Sequence, residues 1–240
     1  ESPRSATRRR YMILEQMSQS EVAERSSGRL LDSAAHLFRE YGVSGTTVRA
    51  IADSAGMQLG SVTYRYPTKE SLVLALMTRA VARVVTDVTG AVRHSENPVE
   101  RLRLAMRAHI NALVNDDAVY VLLFDWQRLS EPTRVELSRQ RHRYESIWDG
   151  LIYAASSSGQ LAPGLDLSLV RKFAFGAANS VAFWYRPDGQ RSPEELADAF
   201  SAFIGLGTLS PAARPDEVTD AYRQLSAIDV RAAALQSEEA

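Results

Sequence analysis

Apolar positions recur at helical spacing from about Glu21 onward. Leu30, Leu31, Ala34, Ala35, Phe38 and Tyr41 fall on one face of an amphipathic helix, and Gly42 is the residue expected just past its end. Thr47 stands in the N-cap position of a second, short helix, Val48 to Ala55, with Val48, Ile51, Ala52 and Ala55 turned inward. Gly56 breaks it at a point where two helices are expected to meet steeply and a Cβ would clash. A third short helix covers Gln58 to Tyr64. Thr68 caps the next start, with Lys69 and Glu70 in its first turn.

Beyond Thr68 only helical periods appear. They run from Thr68 to about Val92, Asn97-Pro98 to Val114, Asp117 to Leu129, Pro132 to Ser156, Leu167 to Tyr185 and Pro193 to Gly205. The breaks come from Gly159, Pro163-Gly164, Pro187-Asp188-Gly189 and Gly207. Strand alternation is missing over more than a few residues, so the expected class is all-α. Residues 1–20, with Arg4, Arg8, Arg9 and Arg10, read as a flexible arm whose arginines could enter a minor groove. A three-helix head at 21–67, a larger helical bundle at 68–210 and a partly helical tail at 211–240 (Val218, Tyr222, Leu225) complete the division.

Composition narrows the chemistry. The 240 residues are 45% hydrophobic and 24% charged, ordinary for a chain that buries a core, and the net charge is −1. Residues 1–80 carry 11 Lys+Arg against 8 Asp+Glu, and the remainder 17 against 21, so the front of the chain is the part suited to phosphates. The 26 Arg against 2 Lys reflect base composition more than function. The absence of cysteine excludes disulfides, thiol catalysis and Cys-based metal sites. The four histidines, His36, His94, His109 and His142, are dispersed and make no metal-binding motif. Phe173 to Tyr185, 13 residues, is too short to span a bilayer, and the opening segment has no signal-peptide pattern. A cytoplasmic protein without cofactor or metal, and with no membrane partner, is expected.

Helix, turn, short helix, tight turn, short helix between Leu30 and Tyr66 is the pattern of a helix-turn-helix. Short helices of this length need a floor, and Leu37, Phe38, Val43, Val48, Ile51, Val62 and Tyr66 supply one. The outer face of the third helix then carries Gln58, Leu59, Ser61, Thr63, Tyr64 and Arg65, which offer the amide, methyl, hydroxyl and guanidinium groups that read base edges and grip phosphates. Thr47 and Thr68 stand at helix N-termini, where free N–H groups can hold a phosphate; Lys69 adds a charge, and Arg49 could reach the backbone.

Four runs are diagnostic together: A-x-x-L-F-x-x-x-G at Ala34–Gly42, T-T-V-R-x-I-A at Thr46–Ala52, A-G at Ala55–Gly56, and G-S-V-x-Y-x-Y-P-x-K-E at Gly60–Glu70. This stretch of about 50 residues resembles the DNA-binding domain of the tetracycline-repressor (TetR) family of bacterial transcription regulators. Tyr64 resembles the family's phosphate-contacting tyrosine. Gln58 and Tyr66 depart from the small hydroxyl residue and the Phe usual there.

The resemblance implies that the remaining helices form a dimerisation and ligand-binding domain. Leu167–Tyr185 is apolar almost all round and must be buried on two sides. Phe173, Phe175, Ala177, Val181, Phe183 and Trp184, with Leu196, Phe200 and Phe203 from the next helix, are the expected interface of a two-fold homodimer. His109, Asn111, Phe124, Trp126, Arg128, Tyr144, Trp148 and Tyr153 are candidate pocket residues, being polar or aromatic groups among apolar faces. A shorter likeness, FWYRPDGQRSPEELADAF at Phe183–Phe200 after DWQRLSEP at Asp125–Pro132, is to family repressors of fatty-acid and sterol catabolism that respond to acyl-CoA thioesters. Arg128, Arg141 or Arg143 would then meet CoA phosphates. The expected function is a small-molecule-released repressor on palindromic, double-stranded operator DNA, with the helix from Thr68 linking head and pocket. The alternatives are an all-helical enzyme, disfavoured because no catalytic groups are spaced for chemistry, and an activator or interaction module using the same head.

Overall fold

The structure, a computed structural model, describes residues 3–126 and 129–210, with side chains from residue 23 onward except that of residue 206. The helices are α1 (Pro3–Gly45), α2 (Val48–Ser54), α3 (Leu59–Arg65), α4 (Lys69–Ala91), α5 (Pro98–Asn115), α6 (Asp117–Phe124), α7 (Glu131–Ser157), α8 (Leu167–Asn179), α9 (Val181–Trp184) and α10 (Pro193–Thr208). Among the described residues no strand forms; the one extended pairing is an isolated antiparallel bridge between Leu161 and Leu209. The all-α class is as the hydrophobic pattern indicated. The expected last helix after Pro215 lies outside the described residues.

Two compact units divide the chain. The first gathers α1 to α3, the front half of α4, α6 and the start of α7. In α1, Leu30, Leu31, Ala34, Ala35 and Phe38 are buried as their spacing requires, whereas Tyr41, at the end of the stripe, is exposed. The helix breaks at Gly42, whose φ of 72° is the left-handed conformation open to glycine. Carbonyls freed by that break are used: the buried Thr46 hydroxyl lies 3.1 Å from Leu37 O and 2.9 Å from Gly42 O. Thr47 caps α2 by accepting the Ala50 N–H at 3.1 Å. Helix α6 packs along α1, where Arg39 donates to Asp117 at 2.7 Å and covers the Tyr120 ring at 4.9 Å. The 21–67 head expected from sequence therefore shares its compact unit with a later helix.

Backbone helix starts at Pro3, within the segment expected to be an arm; no residue between Pro3 and Gly28 is a helix breaker. Two further expectations are corrected. Gly56 has nothing within 4 Å of where a Cβ would stand, and its requirement is instead conformational, φ +65°. The continuous helix expected over Leu167–Tyr185 is broken at Ser180, whose hydroxyl bonds back to Ala177 O at 2.7 Å and competes for a helical carbonyl.

The second unit holds the rest of α4 and α7 together with α5 and α8 to α10. Asn97 caps α5 as the sequence indicated, accepting Glu100 N–H ahead of Pro98, and Ser192 and Glu195 form a reciprocal capping box ahead of Pro193 that the sequence reading does not single out. α5 and α10 pack against each other.

Candidate nucleic-acid interface and effector cavity

The first candidate site is the outer face of α3. This seven-residue helix is held by one fully buried side chain, Val62, and by ties from its end. Tyr66 Oη lies 3.1 Å from Ser27 Oγ, and Arg65 donates to Ala23 O at 3.4 Å. Everything else on α3 faces solvent: Gln58, Ser61, Thr63, Tyr64 and Arg65 are exposed, Leu59 is half-buried, and Tyr64 retains 91% of its accessible surface. A tyrosine ring left that bare carries a cost in water unless something covers it. Gln58 occupies the N-cap position without a capping hydrogen bond from its side chain, so its amide is not spent on the helix start.

The candidate DNA residues sort by how much of their hydrogen-bonding capacity the fold already uses. Gln58, Ser61 and Tyr64 on α3, and Arg49 on α2, are exposed and make no side-chain hydrogen bond with the described residues. Thr63 bonds back to Leu59 O at 3.1 Å, and Thr47 is engaged in capping α2. Thr68 and Ser71 cap one another, with Ser71 N–H donating to Thr68 Oγ1 at 3.0 Å. Lys69 is the surprise. Its ammonium donates to Val43 O at 2.7 Å and Thr46 O at 3.1 Å, so it fastens the turn after α1 to the start of α4. Its sequence signal, a lysine in a first helical turn, gave no hint of that structural duty.

The second candidate site is a cavity of about 600 Å³ inside the second unit, within the range of small-ligand sites. It is walled by Val99, Leu102 and Met106 of α5, Trp148 and Ile152 of α7, Val170 and Ala174 of α8, and Ala202, Ile204 and Gly205 of α10, with Leu161 and Leu209 closing one side. Glu100, Arg103 and Asp198 bring charge to it. Of the pocket residues chosen from sequence, Trp148 lines this cavity. His109 and Tyr144 do not; they are buried beside Trp148 in an aromatic cluster completed by Phe175. His109 Nδ1 lies 2.9 Å from Tyr144 Oη and Nε2 lies 3.2 Å from Asn179 Oδ1. An amide oxygen only accepts, so Nε2 carries the proton and Nδ1 accepts the tyrosine O–H. Burial lowers the His109 pKa to about 4 and raises that of Tyr144.

The other choices fall elsewhere. Asn111 is exposed and bonded by Asn115, and Tyr153 is exposed. Phe124 stacks on Tyr120 in the first unit, to which Trp126 also belongs. Arg128 lies outside the described residues. Arg141 and Arg143 are exposed on α7, away from the cavity lining. No residue of α4 lines the cavity, contrary to the expectation for the helix beginning at Thr68. What sequence reasoning missed is the aliphatic wall, because its residues carry the same helical spacing as any core face.

The expected interface residues divide in the same way. Phe173, Phe183, Trp184 and Phe203 are 72%, 73%, 51% and 70% exposed, and Leu169 joins them at 43%. Large apolar side chains this bare, gathered on α8, α9 and α10, mark an interaction surface. Val181 and Leu196 are instead buried within the chain, Ala177 and Phe200 are intermediate, and Phe175 packs on His109. Among the described residues no group of His, Asp or Glu is placed to hold a metal ion, and no helix is long and apolar enough to cross a membrane.

A small head that displays a short polar helix defines a class of protein, the helix-turn-helix regulators. Residues 30–76 match the tetR family of bacterial regulatory proteins, and residues 95–208 match the tetracyclin repressor-like C-terminal domain. The chain is 30% identical over 179 residues to the HTH-type transcriptional repressor KstR2 of Mycobacterium tuberculosis, covering 74% of this chain and 90% of that one. The structure of that ketosteroid transcriptional regulator superposes with a TM-score of 0.69 at 28% identity, over 77% of this chain and 95% of the other. AibR, solved in complex with isovaleryl coenzyme A and operator DNA, superposes with a TM-score of 0.67 at 26% identity, over 76% and 97%. The chain belongs to the TetR family, whose members are transcriptional regulators rather than enzymes.

Proposed function

We propose that the protein is a repressor that binds palindromic operator DNA as a two-fold homodimer and is released by a small-molecule effector, an acyl-CoA thioester of lipid or sterol catabolism. The single observation that carries the DNA half is the bare outer face of α3, with Val62 beneath it and Gln58, Ser61 and Tyr64 unengaged above it. A helix of this size enters a major groove, and a two-fold dimer presents two of them about 34–36 Å apart, one turn of duplex. Base reading falls to Gln58, Leu59, Ser61 and Thr63. Phosphate contacts fall to Tyr64, Arg49, Arg65 and the helix starts at Thr47 and Thr68, with Lys69 setting the turn between them. The dimer is supported by the apolar face of Phe173, Phe183, Trp184 and Phe203, too large to leave in water.

The effector half is supported by the apolar cavity and by AibR, whose structure holds isovaleryl coenzyme A together with operator DNA. Release is a population shift between a head spacing that fits the operator and one that does not. Moving that balance from 1:99 to 99:1 requires the effector to prefer the released state by about 5.5 kcal/mol. The test is fluorescence anisotropy on duplexes tiled across the promoter of the protein's own gene, at low and moderate salt, followed by titration with acyl-CoA thioesters of increasing chain length. Sequence-specific binding reversed by a thioester is expected. Indifference to every duplex at low salt would overturn the DNA assignment, and binding that no thioester reverses would overturn the effector assignment.

A further inference from the structure

The cavity of the second unit has a mostly apolar wall; besides Ser201 and Thr208, its polar residues are charged and meet at one place, where Glu100 and Arg103 of α5 join Asp198 of α10. Their side chains are 36%, 36% and 50% exposed, which sets them at the opening rather than on the floor. Arg107, one turn beyond Arg103 and outside the cavity lining, joins the cluster through Asp198. Both guanidiniums converge on Asp198: Arg103 donates through Nη1 at 2.9 Å, and Arg107 through Nη2 at 2.8 Å to each carboxylate oxygen.

The two carboxylates hold their arginines unequally. Glu100, on the same helix as Arg103, accepts from Nε and Nη2 on separate oxygens at 2.8 and 2.7 Å, the side-on fork that suits a guanidinium best. Asp198 reaches over from another helix and meets a single nitrogen of each arginine. On Arg107 both of its oxygens share Nη2, while the neighbouring Nε is buried with no acceptor among the described residues. A buried donor without a partner is an unfavourable arrangement that a better-placed oxyanion removes. Exchange of one anion for another also keeps the two positive and two negative charges in balance, because the half-exposed Asp198 can turn to water. A neutral ligand can accept an N–H here but cannot replace the negative charge of Asp198.

We propose that Asp198 is a resident counter-ion, standing in for the acidic group of the effector. A ligand with an apolar body in the cavity and a carboxylate or phosphate at its mouth displaces Asp198 from Arg103 and Arg107. This rests on the reading of the cavity as the effector chamber, and adds the group that is recognised and the residue it replaces. Displacement also cuts the tie between α5 and α10, the helix that carries Phe203 of the exposed apolar face.

The experiment is isothermal titration calorimetry on the full chain with three probes of one chain length: dodecanoate, dodecan-1-ol and dodecanoyl-CoA. The proteins are the wild type, Asp198→Ala, Asp198→Asn as a second, isosteric variant, and Arg103→Gln. Removing the competing carboxylate should tighten dodecanoate about tenfold in both Asp198 variants, and Arg103→Gln should weaken it by about the same factor. Dodecan-1-ol should move by less than about twofold throughout, which a merely structural role for the cluster does not predict. If dodecanoyl-CoA follows this pattern and dodecanoate does not, the recognised group is a CoA phosphate; the reverse identifies a free carboxylate. Equal affinities of each anionic probe in all four proteins, with the alcohol still bound, would overturn the counter-ion and leave the chamber standing. Failure of the wild type to bind any of the three would overturn both.

Discussion

His109 makes the stability of this protein depend on pH in a calculable way. The imidazole is buried, wedged between Tyr144, Trp148 and Phe175, with both ring nitrogens committed to neutral partners. Desolvation lowers its pKa from 6.5 to about 4 in the folded chain. Between those two values the unfolded chain binds a proton that the folded chain refuses, so stability falls as the pH falls. The contribution is fully present above pH 6.5, drains away on acidification and levels off near pH 4. From pH 7 to pH 5 the linkage relation gives a loss of about 2 kcal/mol, a large fraction of a typical domain's stability. The assay is urea unfolding followed by tryptophan fluorescence at pH 7, 6 and 5, at one protein concentration, for the wild type and His109→Phe. The variant is expected to be less stable at pH 7, because Tyr144 and Asn179 lose their partner, yet flatter with pH by about 2 kcal/mol over the same interval. Parallel pH profiles for the two proteins would refute the reasoning, whatever their absolute stabilities.

The remaining predictions concern the two interaction surfaces and the turns that build them. Tyr64→Phe should weaken DNA binding evenly across sequences without changing its salt dependence, since a hydroxyl releases no counterion, whereas Arg49→Gln should reduce the slope of log K against log salt by about 0.9 per contact; anisotropy titrations at four salt concentrations separate them. Lys69→Ala should lower the stability of the isolated chain by about 1–3 kcal/mol, because it strands two carbonyls at the end of α1; unchanged thermal unfolding would make it a phosphate ligand alone. Gly56→Asn should be tolerated better than Gly56→Ala, since Asn accepts a positive φ more readily and a Cβ meets nothing within 4 Å; the opposite order would restore a steric explanation. Phe173→Glu combined with Phe203→Glu should give a folded monomer by sedimentation and circular dichroism, and a dimer surviving both charges would move the interface elsewhere.

How much of this was legible in the sequence follows from the range of each interaction. Much of the head was readable because those determinants are local: Thr47 caps three residues ahead, Gly42 and Gly56 take left-handed conformations where the helices stop, and the buried stripe from Leu30 to Phe38 repeats at helical spacing. Long-range pairings were not. Lys69 spends its ammonium on carbonyls 23 and 26 residues upstream, and α6 joins the head through Arg39 and Asp117, 78 residues apart. The cavity was hidden for a different reason. An apolar stripe at helical spacing reads the same whether the facing side chains meet or leave a void, and the difference here lies in small residues opposite the stripe, Ala174, Ala202 and Gly205. Seeking aromatic and polar groups among apolar faces therefore led to His109 and Tyr144, which satisfy each other and close the core. The better sign was charge on the same faces. Arg103 and Arg107 lie one turn apart on a helix that also buries Met106 and Ile110, and Asp198 interrupts the buried run at Leu196 and Ala197. Such charges must find partners or stay at an edge, and Arg103 and Asp198 do both, paired with each other and partly exposed at the cavity lining.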